Sequence, residues 1–180
     1  TLIKLWTPVA IYHTSSDGEW FYIQAPYVRG WVKAQDIAIF PTRGELKDMA
    51  DFYAPHPNPL PSRGEGRVRG DFLIVTGESV PIYADPTLQR RSQRASMGTL
   101  IPLAGRLPAG EAGREGAFLV WTPFRGEGGR VRLKKLYVDS KADVAVGFLA
   151  YSQANVIRQA FKLLGARYGW GGMYEGRDCS

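Results

Sequence analysis

Residues 9–33 read VAIYHTSSDGEWFYIQAPYVRGWVK, and this stretch decides the fold class. Val9–His13 and Glu19–Gln24 are rich in β-branched and aromatic residues, which suit a pleated, half-buried surface and predict two strands. Between them Ser15-Ser16-Asp17-Gly18 is a strong turn signal, because Asp tolerates turn geometry and Gly supplies a positive φ. Gly30-Trp31-Val32-Lys33 predicts a third short strand, and Asp36 is placed to cap a single helical turn. Short strands with close turns and few helix signals point to a small barrel.

Working outward, residues 1–12 (TLIKLWTPVAIY) read as a strand. They lack the basic start and long apolar core of a signal peptide. No apolar run reaches the roughly 18 residues of a membrane span. Glu45–Phe52 is weakly helical. Residues 55–70 (PHPNPLPSRGEGRVRG) carry four prolines among arginines and glycines, which removes backbone donors and raises the entropy cost of order, so a linker or insertion is expected. The Arg69-Gly70-Asp71 triplet at its edge is a chance-level match to an adhesion tripeptide.

Residues 71–140 repeat the β character. Strands are predicted over Asp71–Thr76, Ser79–Tyr83, Thr99–Leu103, Ala117–Trp121, Arg130–Lys134 and Leu136–Val138, with polar loops at Ala84–Ala95 and Ala104–Gly116. Near residue 150 the period changes. Ser152 can cap a helix whose apolar residues recur at Val156, Ile157, Ala160, Phe161 and Leu164, and Gly165 is a natural stop. One face of that helix requires a covering partner.

Hydrophobic residues make up 44% and charged residues 22% of the 180, a globular composition. The net charge is +6, which favours anionic partners in general. The basic residues are scattered apart from Arg90, Arg91 and Arg94, which argues against nucleic-acid binding. The single cysteine allows no internal disulfide. His13 and His56 have no neighbouring ligands in sequence, so neither a metal site nor a cofactor is expected.

The last residues, Tyr168-Gly-Trp-Gly-Gly-Met-Tyr-Glu-Gly-Arg-Asp-Cys-Ser180, deliver that cysteine from a Gly-rich aromatic loop. A free thiol, with a pKa of about 8.5, attacks poorly at neutral pH until a helix N-terminus or an imidazole stabilises the thiolate. Asp178-Cys179-Ser180 suits a helix start, with Asp as cap and Cys in the first turn.

Tyr168, Trp170, Gly171, Gly172, Asp178, Cys179 and Ser180 resemble the nucleophile motif of the NlpC family of papain-like cysteine peptidases. The preceding helix, with Asn155, Ala160, Phe161 and Gly165, is similar to the one that leads into that motif. The two β regions resemble the paired bacterial SH3-like domains found in the γ-D-glutamyl-L-diamino acid endopeptidase type. His13–Trp20 and Gly30–Val32 carry that likeness in the first, and Met97–Leu100 with Pro102-Leu103 in the second. The expectation is a mostly β protein: two small SH3-like barrels, then the first helix and nucleophile loop of an α+β papain-like domain. The expected boundaries are 1–54 for the first barrel, 55–70 for the linker, 71–147 for the second barrel and 148–180 for the start of the catalytic domain.

The resemblance implies a bacterial cell-wall (peptidoglycan) hydrolase that cleaves D-γ-glutamyl–diamino acid bonds through a cysteine thioester. Cys179 would be the nucleophile. Tyr168 and the Cys179 backbone N–H would stabilise the oxyanion. Asp178 would bind the free amino terminus of the stem peptide, and Ser180 would touch the substrate backbone. The implied partners are stem peptides with a free N-terminal L-Ala, and the implied location is the cell envelope, periplasmic or secreted. Tyr22 and Tyr27 of the first barrel have no residue-by-residue match. The family's histidine base and its orienting residue lie downstream of the cysteine. The sequence ends at Ser180, so the expectation is a chain inactive by itself. The alternatives are a non-catalytic SH3-like binding module for cell-wall peptides or a partner protein, and a basic protein that binds anionic polymers. Trp20, Trp31 and Trp121 read as barrel core rather than ligand platforms. Trp170 is expected to pack under the motif loop, with Glu175 and Arg177 solvated.

Overall fold

The computed structural model describes residues 3, 5–47, 72–110, 116–168 and 177–178, with backbone alone at 167–168 and 177–178. The protein is mostly β. It divides into two compact units: Thr1–Pro41 with Pro123–Lys134 and Leu163–Ser180, and Thr42–Thr122 with Lys135–Lys162. The segments around 55–70 and 111–115, including His56 and the Arg-Gly-Asp triplet, lie outside the described residues.

The first unit holds a three-stranded antiparallel sheet in the order β1 (Ala10–Thr14), β2 (Trp20–Gln24), β3 (Arg29–Lys33). The predicted β1–β2 turn forms as its residues dictate. Gly18 has φ 74°, the Ser15 N–H donates to the Trp20 carbonyl and the Trp20 N–H to the Ser15 hydroxyl, each at 2.9 Å, and the Asp17 carboxylate accepts the Glu19 N–H at 2.9 Å. The Ser15 hydroxyl and the Glu19 N–H hold the Asp17 pKa below its ordinary value. One face of the sheet carries Phe21, Ile23 and Val32, with Ile23 fully buried beside Ala25 and Ala34. The other face carries Trp20, Tyr22 and Trp31. Trp20 is 39% and Trp31 53% exposed, so the expectation that they fill the core is overturned. Residues in register and two apart share a face, and Phe21 and Ile23 already occupy the inner one.

Asp36 does not cap its turn. It is the last residue of a 3-10 turn, Ala34–Asp36, whose N-cap position is Lys33 with no side-chain bond. The turn is held instead by the Ala34 N–H, which reaches the Glu19 carbonyl at 2.8 Å. Residues 43–47 are helical, and the Thr42 hydroxyl accepts the Glu45 N–H. The rest of the predicted Glu45–Phe52 helix lies outside the described residues. Also within the first unit, residues 125–130 meet residues 37–39. Arg125 Nη1 donates to the carbonyls of Ile37 at 2.8 Å and Gly129 at 3.0 Å, and Ile39 bridges Arg130 in parallel.

A second sheet holds β4 (Phe72–Val75), β5 (Ser79–Tyr83), β6 (Arg91–Ser96), β7 (Leu100–Leu107), β8 (Ala117–Arg125), β9 (Val131–Asp139) and β10 (Val144–Val146), in the order β10-β4-β7-β8-β9-β5-β6. The core of the second unit is their period-2 inner face: Leu73, Val75, Val80, Ile82, Ile101, Val120, Leu136 and Val138. Three expectations change here. The Ala84–Ala95 loop contains most of β6, a polar edge strand whose buried Ala95 pairs with Val80; its arginines read as loop but suit an unpaired edge. The two strands predicted at Arg130–Lys134 and Leu136–Val138 are one. Lys135, which fell between them, continues the strand, and the Lys134 and Lys135 ammonium groups lie over the Phe124 ring at 5.1 Å and the Trp121 ring at 4.9 Å. Finally, β7 extends to Leu107, into the predicted Ala104–Gly116 loop.

Candidate functional site

The polypeptide reaches the cysteine motif through one helix, α1 (Gln153–Phe161). Its start is built as the sequence implies: the Ser152 side chain accepts the Asn155 N–H at 3.3 Å, and Asn155 Nδ2 donates to the Ala150 carbonyl at 2.8 Å. Arg158 donates to Asn155 Oδ1 at 2.7 Å. At the far end Lys162 is the C-cap, and Gly165 takes φ 85°, which a side chain would strain.

Lys162 also anchors this end of the helix. Its Nζ donates to Asp143 Oδ1 at 2.7 Å and to the Thr76 carbonyl at 3.1 Å. The same Asp143 oxygen accepts the Thr76 hydroxyl at 2.7 Å, and the Asp143 carbonyl accepts the N–H groups of Thr76 and Gly77. Partial burial works to raise the Asp143 pKa, but hydrogen bonds from Lys162 and Thr76 and the Lys162 charge outweigh it and hold the carboxyl below its ordinary value.

The apolar positions of α1 are not covered: Val156, Ile157, Phe161 and Leu164 are all exposed, and no residue of the helix is buried.

Beyond the helix, β11 (Arg167–Tyr168) and β12 (Arg177–Asp178) pair in parallel, Arg167 opposite Arg177 and Tyr168 opposite Asp178. Two of the four site positions expected from the sequence, Tyr168 and Asp178, are therefore register partners. Cys179 and Ser180 lie outside the described residues, as do Trp170 and Glu175. His13 is exposed on β1 opposite Tyr22. Among the described residues no group of three or more His, Cys, Asp or Glu is placed to hold a metal ion, and no helix is long and apolar enough to cross a membrane.

What the sequence missed is the outer face of the first sheet. The run Trp20-Phe21-Tyr22-Ile23 is apolar or aromatic at both parities, so only the register reveals which side chains face out.

Residues 1–33 match the family model of the SH3 domain of SH3b1 type. A solved structure, described as a novel NlpC/P60 endopeptidase from Photobacterium damselae subsp. piscicida, is similar to 98% of the chain with a TM-score of 0.62 and 20% identity. The fold is shared. The chain spans 32% of that protein's chain. No curated protein matches it.

Proposed function

We propose that the chain is part of a bacterial cell-wall peptide hydrolase that cleaves D-γ-glutamyl–diamino acid bonds through Cys179. The observation that supports this most is the parallel register of Tyr168 with Asp178. It sets the residue immediately before Cys179 beside the tyrosine assigned to the oxyanion. The SH3b1-type match at residues 1–33 and the fold shared with an NlpC/P60 endopeptidase lend further support.

In this reading the Cys179 thiolate attacks the γ-glutamyl carbonyl. The C–N bond breaks, the diamino acid amine leaves with a proton, and a thioester remains. Water then hydrolyses the thioester, releasing the glutamyl carboxylate and restoring the thiol. Tyr168 and the Cys179 N–H stabilise the oxyanion. Asp178 pairs with the ammonium of an N-terminal L-Ala, and Ser180 contacts the peptide backbone. The domain layout that goes with it is 1–54, 55–70, 71–147 and 148–180, and the location is the cell envelope. The 180 residues by themselves are inactive in this reading, since their imidazoles are His13, on β1, and His56.

The test is release of free amine from L-Ala-γ-D-Glu-diaminopimelate by the whole product of the gene, beside its Cys179→Ala variant. Cleavage that disappears in the variant is expected. Absence of cleavage, or cleavage that survives the substitution, refutes the proposal. A binding role for the first sheet is a second reading, favoured by the exposure of Trp20 and Trp31.

A further inference from the structure

The three-stranded sheet keeps its apolar core on one side and a row of aromatic rings on the other. Register sets His13 opposite Tyr22 and Tyr22 opposite Trp31, one row across all three strands. Trp20 pairs with Lys33 in the row on one side, and Gln24 with Arg29 in the row on the other. Because facing and i,i+2 residues share a face, Trp20, Tyr22, Trp31, His13, Arg29 and Lys33 all belong to the outer surface.

The tryptophans of this row are held open rather than used as core. The Tyr22 and Trp31 rings lie 5.3 Å apart, tilted by 55°, an arrangement in which each ring fixes the other. A β-bulge between Ile11 and His13 leaves Tyr12 without a register partner and 62% exposed at the end of the row. Bulges commonly re-aim a side chain in this way.

The two charged residues that register places in these rows, Arg29 and Lys33, are both cations. Along β3, Arg29 and Lys33 flank Trp31 on the same face, and both are exposed. Arg29 Nε is held by the Gln24 side-chain oxygen, which orients the guanidinium fork beside the ring row. The carboxylates of Asp17 and Glu19 belong to the β1–β2 turn and not to these three rows.

We propose that this outer face is a binding platform for an acidic saccharide chain. Its sugar rings would lie against Trp31, Tyr22 and Trp20, and its carboxylates would meet Arg29 and Lys33. The surface is a sheet face rather than a groove or a free strand edge, which disfavours an extended peptide. Its cations stand at two points instead of tracking a continuous phosphate backbone, which disfavours single-stranded nucleic acid. A fork-shaped guanidinium beside an open ring suits a planar carboxylate next to a flat sugar. The proposal stands on the first sheet alone and is independent of the role assigned to Cys179.

The test is titration of the 180-residue chain with oligogalacturonate, followed by tryptophan fluorescence, with chitohexaose as the neutral saccharide and a dT oligonucleotide as the nucleic acid. Oligogalacturonate should bind in preference to both. Trp31→Ala should weaken it by about tenfold, the scale of a lost aromatic stacking partner. Arg29→Gln and Lys33→Gln should each weaken it by about threefold, the scale of an exposed charge contact, and added salt should weaken it further. Circular dichroism checks that each variant is folded. Should Trp31→Ala unfold, the Arg29→Gln, Lys33→Gln double variant carries the test by itself. Absence of oligogalacturonate binding, equal binding of chitohexaose, tighter binding of the dT oligonucleotide, or affinity untouched by the ring and charge variants each overturns the proposal.

Discussion

Asp143 ties the end of α1 to the strand that precedes Gly77, and its parts can be separated by two substitutions. Asp143→Asn keeps an oxygen for the Thr76 hydroxyl and leaves the backbone bonds from Thr76 and Gly77 intact. It removes only the charge facing Lys162. That pair is 27% exposed on the Lys162 side and 50% on the Asp143 side, so solvent screens it and its loss should cost no more than about 0.2–1 kcal/mol. Asp143→Ala also strands the hydroxyl of Thr76, a residue only 6% exposed, which adds about 1 kcal/mol. The expected order is wild type, then Asn, then Ala, with Ala lower by about 1–2 kcal/mol in all. Urea unfolding at pH 7 and amide exchange at Thr76, Gly77 and the α1 residues read both values. The pH dependence follows from the lowered pKa. A carboxyl whose folded pKa lies below its ordinary 3.8 contributes stability above that value and loses it as pH falls through the folded pKa. Wild type should therefore lose more stability between pH 7 and pH 3 than Asp143→Asn does. An Ala variant as stable as wild type, or Asn and Ala variants equally destabilised, would refute the reasoning.

Three further outcomes are expected. Gly129→Ala should destabilise the β8–β9 hairpin tip by about 1–2 kcal/mol in thermal unfolding, since the backbone sits at φ 76°, where a side chain is strained, and the added Cβ would push the Arg125 guanidinium off the carbonyls of Ile37 and Gly129. Ser152→Ala should cost about 1 kcal/mol through loss of the α1 cap, seen as faster exchange at the Asn155 amide with the sheets unaffected. On the functional reading, kcat/KM of the whole gene product should drop sharply when the substrate's N-terminus is acetylated, and Asp178→Asn should narrow the gap between free and acetylated peptides; equal rates on both in wild type would show that Asp178 does not set specificity.

The strands and α1 were legible because their signals are local. Ser15–Gly18 encodes its own turn, β5 alternates cleanly through Val80 and Ile82, and Ser152 caps the helix it precedes. The strand β6 was not legible. Its single inward apolar residue, Ala95, gains meaning only when β5 lies beside it. The same holds for the Lys134-Lys135 pair, whose neighbours Phe124 and Trp121 come from another strand. Of the candidate site, the residue types at Tyr168 and Asp178 were readable, but their register was not, because eight intervening residues separate two strands of two residues each.

The first sheet shows why a tryptophan in a predicted strand is ambiguous. Trp20-Phe21-Tyr22-Ile23 has no polar parity to mark the solvent side, and burial of either pair of side chains would satisfy the hydrophobic effect. Space decides. The buried hydrophobic residues of this unit, among those described, are Ile23, Ala25 and Ala34, two of them alanines, and a small core of this kind has little room for indole rings at native packing density. Phe21, Ile23 and Val32 take the inner face, with Gly30 opposite Ile23. The two indoles are left outside, where hydrophobicity alone gives no reason for them. Arg29 and Lys33 stand on the same sheet face, so the exposed rings come with two cations in their rows. Exposed rings with cations set in the same rows are the arrangement that the proposed saccharide platform uses, and incomplete packing alone would not place the two together.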